Sequence, residues 1–579
     1  MSAKSKSKFS YQDNLKIAES LLQSKDEDNE ELESISDIEE DVVETRDEHT
    51  DTEQEVDSSD SESTSFDDKY YIGRDNVSIW EKFNSEFSPV WEQNNVAYVP
   101  GVADKAKLAK TPKECWECFF DDKILSIIVD CTNEKISESR LNYKRERDAR
   151  PTDKLEIKAL LGILYVCAAR RDNHTSTRDI WTLDKTGLEL CRLIMSEKRF
   201  RFLLYCLRFD CKSDREERRK IDNLAAVRDV FTLFVKNCQE SYIPGEFCTL
   251  DEKLEPFRGN CRFKVFFPNK PCKYGLKLFA LVDTHVYYTV NLEVYAGQQP
   301  PGLYDVSNNP IDVVKRLSSI ILGSGRNLTL DSWFTSLEVA KYLYKKNVTM
   351  VGSINKNKPE IPVNFTVSKS RPVGSSLYGF MKNCTLVSYV TRKDKVVLAL
   401  STMHHDSSIV PSSGEKAKPE IIAFYNATKS AVDTVDQMCN SYSVSRITSS
   451  WPMVIFFSML NVAAVNAQII FLSNNMNDRL TRCGFLKNLA RSLADDYLRV
   501  RSQCTSLPGS LKRGLQDLFQ EKEESIGQGK VHYAETKPVI KRQRCYVCRG
   551  SRSRLTRYRC RNCEKFLCLQ HAEIICSDC

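Results

Sequence analysis

Apolar and polar positions repeat with two different periods along this chain, and the change falls near residue 247. From about Val96 to Tyr242 the spacing is helical: Leu155, Leu160, Leu161 and Leu164 recur on one face, as do Leu224, Val227, Phe234 and Cys238. From Phe247 the period is that of strands. FCTLD, KLFALVD and YYTVNLEVY (Tyr287 to Tyr295) predict three antiparallel strands. A helix over Ile311–Leu322, a strand NLTLD ending at Asp331, a helix over Leu337–Lys346 and a strand over Val348–Ile354 follow. Between Lys356 and about Glu420, Pro, Gly and Ser clusters break the pattern around short strands such as VVLALS. A helix near Thr428–Met438, with Val432, Val435 and Cys439 on its buried side, ends this region, and helices from about Ser449 to Glu521 come next.

The order β-β-β-α-β-α-β is that of a ribonuclease-H-like α/β core. The expected divisions are an acidic disordered region (1–90), a first helical segment (91–246), the core (247–355), an insertion domain (356–420), and a final core helix (421–442). A second helical segment packing back on the first (443–522), a polar linker (523–540) and a cysteine-rich end (541–579) complete the chain. One stretch imitates a membrane span. Ile447–Asn477 has no charged side chain, but Pro452, Asn461, Asn466 and Gln468 interrupt it, so a helix buried in a soluble core is expected and no membrane.

Charge sharpens the picture. Asp26–Asp68 holds 21 acidic residues against Arg46, while the whole chain is +5, so the remainder is strongly basic. Such separation points to a polyanion-binding protein with an acidic tail. Ser58, Ser59, Ser61 and Ser63 lie among the acids as acid-directed kinases prefer, although a plain solubilising tail accounts for the composition equally well. The chain opens with polar, basic MSAKSKSKFS, so a secretory disulfide framework is not expected.

Candidate chemistry begins in Phe247–Asp283. Asp251 leads a hairpin in which Arg258, Arg262, Lys264, Lys270 and Lys273 alternate with Phe257, Phe263, Phe266 and Phe267. That suggests a metal-binding acid beside a polyanion, against the plainer reading of a solvated hairpin. Phosphodiester cleavage is served by two divalent ions roughly 3.5–4 Å apart, held by hard carboxylate oxygens. Asp251 and Asp331, each expected to end a strand, would lie at one sheet edge; Asp433 and Asp436, three apart, would share a helix face. Taken singly, each of these acids is an ordinary surface residue.

Four segments also carry a family resemblance: DEKLEPFRGNCRFKVFFPNKPCKYGLKL, LTLDSWFTS (Leu328–Ser336), SRPVGSSLYGF (Ser370–Phe380) and YNATKSAVDTVDQM (Tyr425–Met438). In that order they resemble piggyBac-type DNA transposases, as does the cysteine-rich end, from about Trp91 to Cys579. The resemblance implies a nuclear, dimeric cut-and-paste enzyme using two Mg (or Mn) ions, with hairpin ends and TTAA targets. It makes Asp251, Asp331 and Asp433 the catalytic triad, Asp436 a supporting acid, the helical segments a dimerisation and DNA-binding domain, and the acidic head a modulator of DNA affinity. It adds Trp451, near DNA ends, to the DNA contacts expected of Lys358 and the hairpin cations. Two departures stand out: Ser332 replaces an asparagine, and Asn355 an arginine associated with target joining. A domesticated DNA-binding protein without strand transfer is the alternative. A chromatin or ubiquitin-pathway adaptor would leave the aspartates unexplained.

The cysteine-rich end is read from spacing alone. Cys545-x2-Cys548-x11-Cys560-x2-Cys563-x4-Cys568-x2-His571-x4-Cys576-x2-Cys579 supplies ligands for two tetrahedral zinc ions. A cross-brace would join Cys545, Cys548, Cys568 and His571 on one ion and Cys560, Cys563, Cys576 and Cys579 on the other; sequential pairing is the alternative. Arg544, Arg549, Arg552, Arg554 and Arg557 lie among these ligands, a density suited to phosphate contact and nuclear import. A protein-binding finger of the PHD or RING kind is the rival.

Overall fold

The computed structural model describes residues 43–45, 54–55, 69–84, 99–268, 273–367, 371–527, 543–544, 546–548 and 555–556. A hairpin of β1 (Tyr70–Ile72) and β2 (Ile79–Glu81) comes first. Helices α1 (Pro112–Glu117), α2 (Asp122–Ser139), α3 (Lys154–Arg170), α4 (Glu197–Cys206) and α5 (Arg228–Ser241) follow. Side-chain caps set several starts: Asp121 accepts from Ile124 N, Asp153 from Glu156 N, and Thr111 forms a capping box with Glu114.

Next come β3 (Phe247–Pro256), β4 (Lys264–Phe266), β5 (Tyr274–Asp283), β6 (Thr289–Val294) and α6 (Pro310–Leu317). They lead into β7 (Asn327–Leu330), α7 (Leu337–Lys345) and β8 (Thr349–Ser353). After β9 (Ser376–Met381), β10 (Cys384–Arg392) and β11 (Lys395–Ser401) the chain is helical: α8 (Glu420–Thr428), α9 (Ala431–Ser441), α10 (Trp451–Asn474), α11 (Arg482–Ser502) and α12 (Gly509–Gly527).

Among the described residues these strands join one large mixed sheet. Its centre reads β6-β5-β3-β7-β8, with β6, β5 and β3 antiparallel in turn and β7 parallel to both β3 and β8. Residues 356–420, expected as an insertion within the core, extend this sheet: β11 pairs β8 with Val351 opposite Ser401, and β10, β9, β2 and β1 follow outward. The reason is in the strands themselves, since CTLVSYVTR and KVVLALS are rich in buried β-branched residues that can add to an open edge.

The acidic head is likewise not uniform. Val43–Thr45 pairs β4, Gln54–Glu55 pairs β11, and β1 and β2 dock on β9, which corrects the expectation of a structureless 1–90 at these positions. Acidic composition averaged over the segment hid the short apolar pair YYI and IWE, whose Trp80 is fully buried. The acidic residues and serines between these pieces lie outside the described residues.

Helix α10 is long and apolar enough to cross a membrane, yet it is buried inside the fold. Its polar interruptions have structural partners. Asn466 accepts from Thr289 N and donates to Thr289 O, both at 2.9 Å, bonding the helix to β6; Asn461 accepts from Val444 N at 2.9 Å. Helix α11 lies along α3, where a Cβ on Gly162 would meet Ala490 O at 2.8 Å, so the absence of a side chain sets the close approach. Leu155, expected on the buried face of α3, is at the surface. Residues to Thr505 form one compact unit and those from Ser506 a second, so α12 does not belong with the earlier helices, and it runs past the expected linker start to Gly527.

Candidate active site

Strand pairing places the first two acids. β3 and β7 are parallel with Leu250 opposite Leu330, and the next residues are Asp251 and Asp331. Asp331 follows directly on β7, where its carbonyl accepts from Phe334 N and Thr335 N and turns the chain. Asp251, expected to end its strand, sits in the middle of β3. That strand continues to Pro256 because β5 pairs it along its length, from Cys248 opposite Asp283 to Pro256 opposite Gly275.

Two contacts bracket the third acid. On one face of β3, Thr249 Oγ1 donates to Thr428 O at 2.7 Å and Lys253 Nζ donates to Asp436 Oδ1 at 2.6 Å. Side chains at 249, 251 and 253 share that face, and four strand residues span about 13 Å. Thr428 ends α8 and Asp436 lies in α9, with Lys429 and Ser430 turning the chain between them. Helix α9 is thus bonded to β3 at Lys253, two residues along the strand from Asp251, and Asp433 lies about one turn before Asp436 on that helix. Asp433 is exposed in the first turn of α9.

Around Asp331 the groups are polar and spaced loosely. Ser353 Oγ stands 3.4 Å and Tyr425 Oη 3.5 Å from Oδ1, with the two hydroxyls 3.0 Å apart. Burial first, then the charge of Asp331 and more weakly that of Asp251, push the Tyr425 phenol well above its ordinary range. One phenol thus senses both carboxylates. The turn after Asp331 packs so closely on β8 that a Cβ at Gly352 would meet Thr335 Oγ1 and Leu330 O, which makes glycine a requirement there.

Two buried lysines support the acids from either face of β3. Lys253, 2 % exposed, pairs with Glu255 at 2.9 Å as well as with Asp436. Burial opposes its charge, but Glu255 and Asp436 more than offset this and hold its ammonium above its usual range. Asp436 therefore faces a lysine, not only the acidic centre. Lys277, fully buried, pairs with Glu252 and lies 4.6 Å from the Trp333 ring and 4.9 Å from that of Phe279. Trp333 stacks on Phe279 at 5.5 Å, fastening the turn that carries Asp331. Sequence reasoning missed Lys253, Lys277, Ser353 and Tyr425. A lysine inside an apolar strand with glutamates nearby, as in DEKLE, was the available signal.

The predicted cationic surface is only partly there. Arg258, Arg262 and Lys273 are exposed, and Lys358 is half-buried. Lys264 is buried, donating to Gly259 O at 3.1 Å, and Trp451, 4 % exposed, packs edge-on against Phe263 at 5.0 Å. Both turn inward, because the apolar residues around them close the hairpin against the start of α10, and both are withdrawn as surface contacts. Lys270, Arg549, Arg552, Arg554 and Arg557 lie outside the described residues, as do Cys545, Cys560, Cys563, Cys568, His571, Cys576 and Cys579. Cys548 is described and half-buried, and Gln543–Arg544 pairs Leu555–Thr556. Among the described residues no three His, Cys, Asp or Glu side chains stand close enough to form a ready metal cluster.

Comparison with known proteins identifies the class. The transposase IS4 family matches residues 111–468. A cryo-EM structure of a piggyBac transposase synaptic complex with hairpin DNA is similar with a TM-score of 0.68 and 36% identity, covering 83% of this chain and 100% of that one. The chain belongs to the piggyBac-type transposase family. It is also 22% identical over 404 residues to the human PiggyBac transposable element-derived protein 3, covering 66% of this chain and 64% of that protein. The human chimeric ERCC6-PGBD3 protein is matched over the same length, 36% of its own chain.

Proposed function

We propose that this chain is a metal-dependent DNA transposase whose strand cleavage and joining are carried out at Asp251, Asp331 and Asp433. The β3–β7 register, in which Asp251 and Asp331 follow the paired Leu250 and Leu330, supports the reading, together with the bond that ties α9 to β3 at Lys253 and Asp436. The strand order β6-β5-β3-β7-β8 supports a ribonuclease-H-like core. The donor set is hard oxygen, suited to Mg or Mn, and the shared negative field felt by Tyr425 is one a cation would relieve. Asp251, Asp331 and Asp433 would hold the ions, with Asp436 in support; bound there, they supply an activated oxygen nucleophile and a stabilised leaving oxygen.

The chain's own groups prepare this centre. Ser353 and Tyr425 face Asp331 Oδ1 and limit its rotation, while Trp333 on Phe279 holds the turn behind it. Exposed Arg258, Arg262 and Lys273 receive backbone phosphates. Hairpin ends, TTAA targets, a homodimer handling two ends and a nuclear location belong to the same proposal, with family membership as their support. On a donor flanked by TTAA and matched ends, excision should require Mg or Mn. Cutting that persists in EDTA, or none on matched ends, would remove this reading. A DNA-binding protein without strand transfer is the second reading, favoured by the Lys253–Asp436 ion pair, which occupies the supporting acid.

The eight-ligand spacing at the C-terminal end supports two structural zinc ions. Elemental analysis of the purified chain should find about two zinc ions per chain, with Cys560→Ser losing about one. Unchanged zinc in that variant, or none in the parent, counts against it.

A further inference from the structure

The hairpin at residues 69–84, read from sequence as part of a disordered acidic head, is bound to the loop that leaves β8. Arg74 donates to the carbonyls of Lys356, Lys358 and Ile361, the last two at 2.9 and 3.3 Å. Asp75 N donates to Pro359 O at 2.9 Å and Trp80 Nε1 to Glu360 O at 3.0 Å. Tyr71 meets Phe365 edge-on at 5.1 Å. A Cβ on Gly73 would lie 2.9 Å from Glu360 O, so only glycine lets the two backbones approach. Five carbonyls of one loop segment are thereby fixed from outside it, a far denser attachment than sheet closure needs, since β2 meets β9 at a single register position.

This loop starts next to the acidic centre. Ser353, the last residue of β8, faces Asp331, and three residues of chain carry at most about 11 Å from it to Lys356. A DNA strand entering at Asp331 places its neighbouring phosphates within reach of Lys356 and Lys358. Glu360 Oε1 also accepts from Leu337 N at 3.3 Å, tying the loop to the helix that follows the Asp331 turn. A free loop would lose affinity in ordering its lysines on each binding event; a fixed loop does not. We infer that residues 69–84 are a clamp that pre-orders this loop, with Gly73, Arg74 and Trp80 as positioning residues for phosphate contact by Lys356 and Lys358. The inference rests on the DNA-binding part of the function proposed above.

The test is the salt dependence of full-chain binding to a short duplex of arbitrary sequence, where each phosphate contact contributes about 0.9 to the slope of log K against log salt. The Lys356→Ala/Lys358→Ala chain should lose up to about 2 from that slope. Gly73→Ala removes no charge, so it should keep the slope while weakening binding about three- to tenfold, with faster hydrogen exchange at 355–361, and should have no effect in the chain lacking both lysines. Trp80→Phe, which deletes the bond to Glu360 O along with part of a buried ring, repeats the test should Gly73→Ala fold poorly. An unchanged affinity in both variants, or an equal loss without the lysines, overturns the clamp. Binding needs no cleavage, so a chain that binds but never cuts sinks the transposase reading and leaves this one standing.

Discussion

Asp331→Asn is expected to reduce strand cleavage about a thousand-fold or more while leaving the fold intact. An amide keeps the shape of the side chain but loses the charge that faces Asp251 across the β3–β7 register. A carboxylate that holds a catalytic cation is responsible for several kcal/mol of transition-state charge stabilisation, and each 1.36 kcal/mol is a factor of ten. Stability should change by less than about 1 kcal/mol, because the side-chain contacts to Ser332, Ser353 and Tyr425 are all long, 3.4–3.5 Å. Gel-resolved single-turnover cleavage together with a urea midpoint measures both. An Asp331→Asn chain cutting within about tenfold of the parent would take Asp331 out of the chemistry.

Lys277→Met is expected to be the most destabilising single change near the site, by about 3–5 kcal/mol. It removes the ammonium that pairs with buried Glu252 and lies over the Trp333 and Phe279 rings. Adding Glu252→Met should restore most of that loss, because a buried ion pair replaced by apolar groups of similar volume is near neutral. The double variant separates stability from function. Its Trp333 ring has lost a cation contact worth about 0.5–2 kcal/mol, so the turn holding Asp331 is less well fixed. Cleavage should fall by roughly three- to tenfold in a chain that unfolds at nearly the parental urea concentration. Full activity in the double variant would show that Lys277 is a packing device and does not orient the turn.

The core elements from Phe247 to Ser353 could be read from periodicity, because each strand there is buried on at least one face and each helix carries an apolar stripe. Asp331 at a strand end was legible for the same reason. The mid-strand position of Asp251 was not, because hydrophobicity falls at DEKLEP while the backbone goes on pairing with β5. The two lysines that break the apolar run are buried against acids supplied by α9 and by β3 itself, which no local pattern announces. The outward extension of the sheet by β9–β11 and the docking of 69–84 were missed for a related reason. β10 and β11 are buried along nearly their whole length and so lack alternation, β1 and β2 are only three residues each, and what makes them fold is an open edge provided by distant residues.

By itself the sequence determined the kinds of elements, the separation of acidic head from basic body, the family, and the four acids available for chemistry. Those depend on composition and local period, which act over a few residues. The tertiary structure alone decided that Asp251 and Asp331 follow a paired Leu250 and Leu330, that Asp436 meets Lys253, and that Lys264 and Trp451 face inward. These are matters of register and burial, set by which edges and faces meet, and a one-residue slip of β3 against β7 would send the side chains of β3, Asp251 and Lys253 among them, to the opposite face.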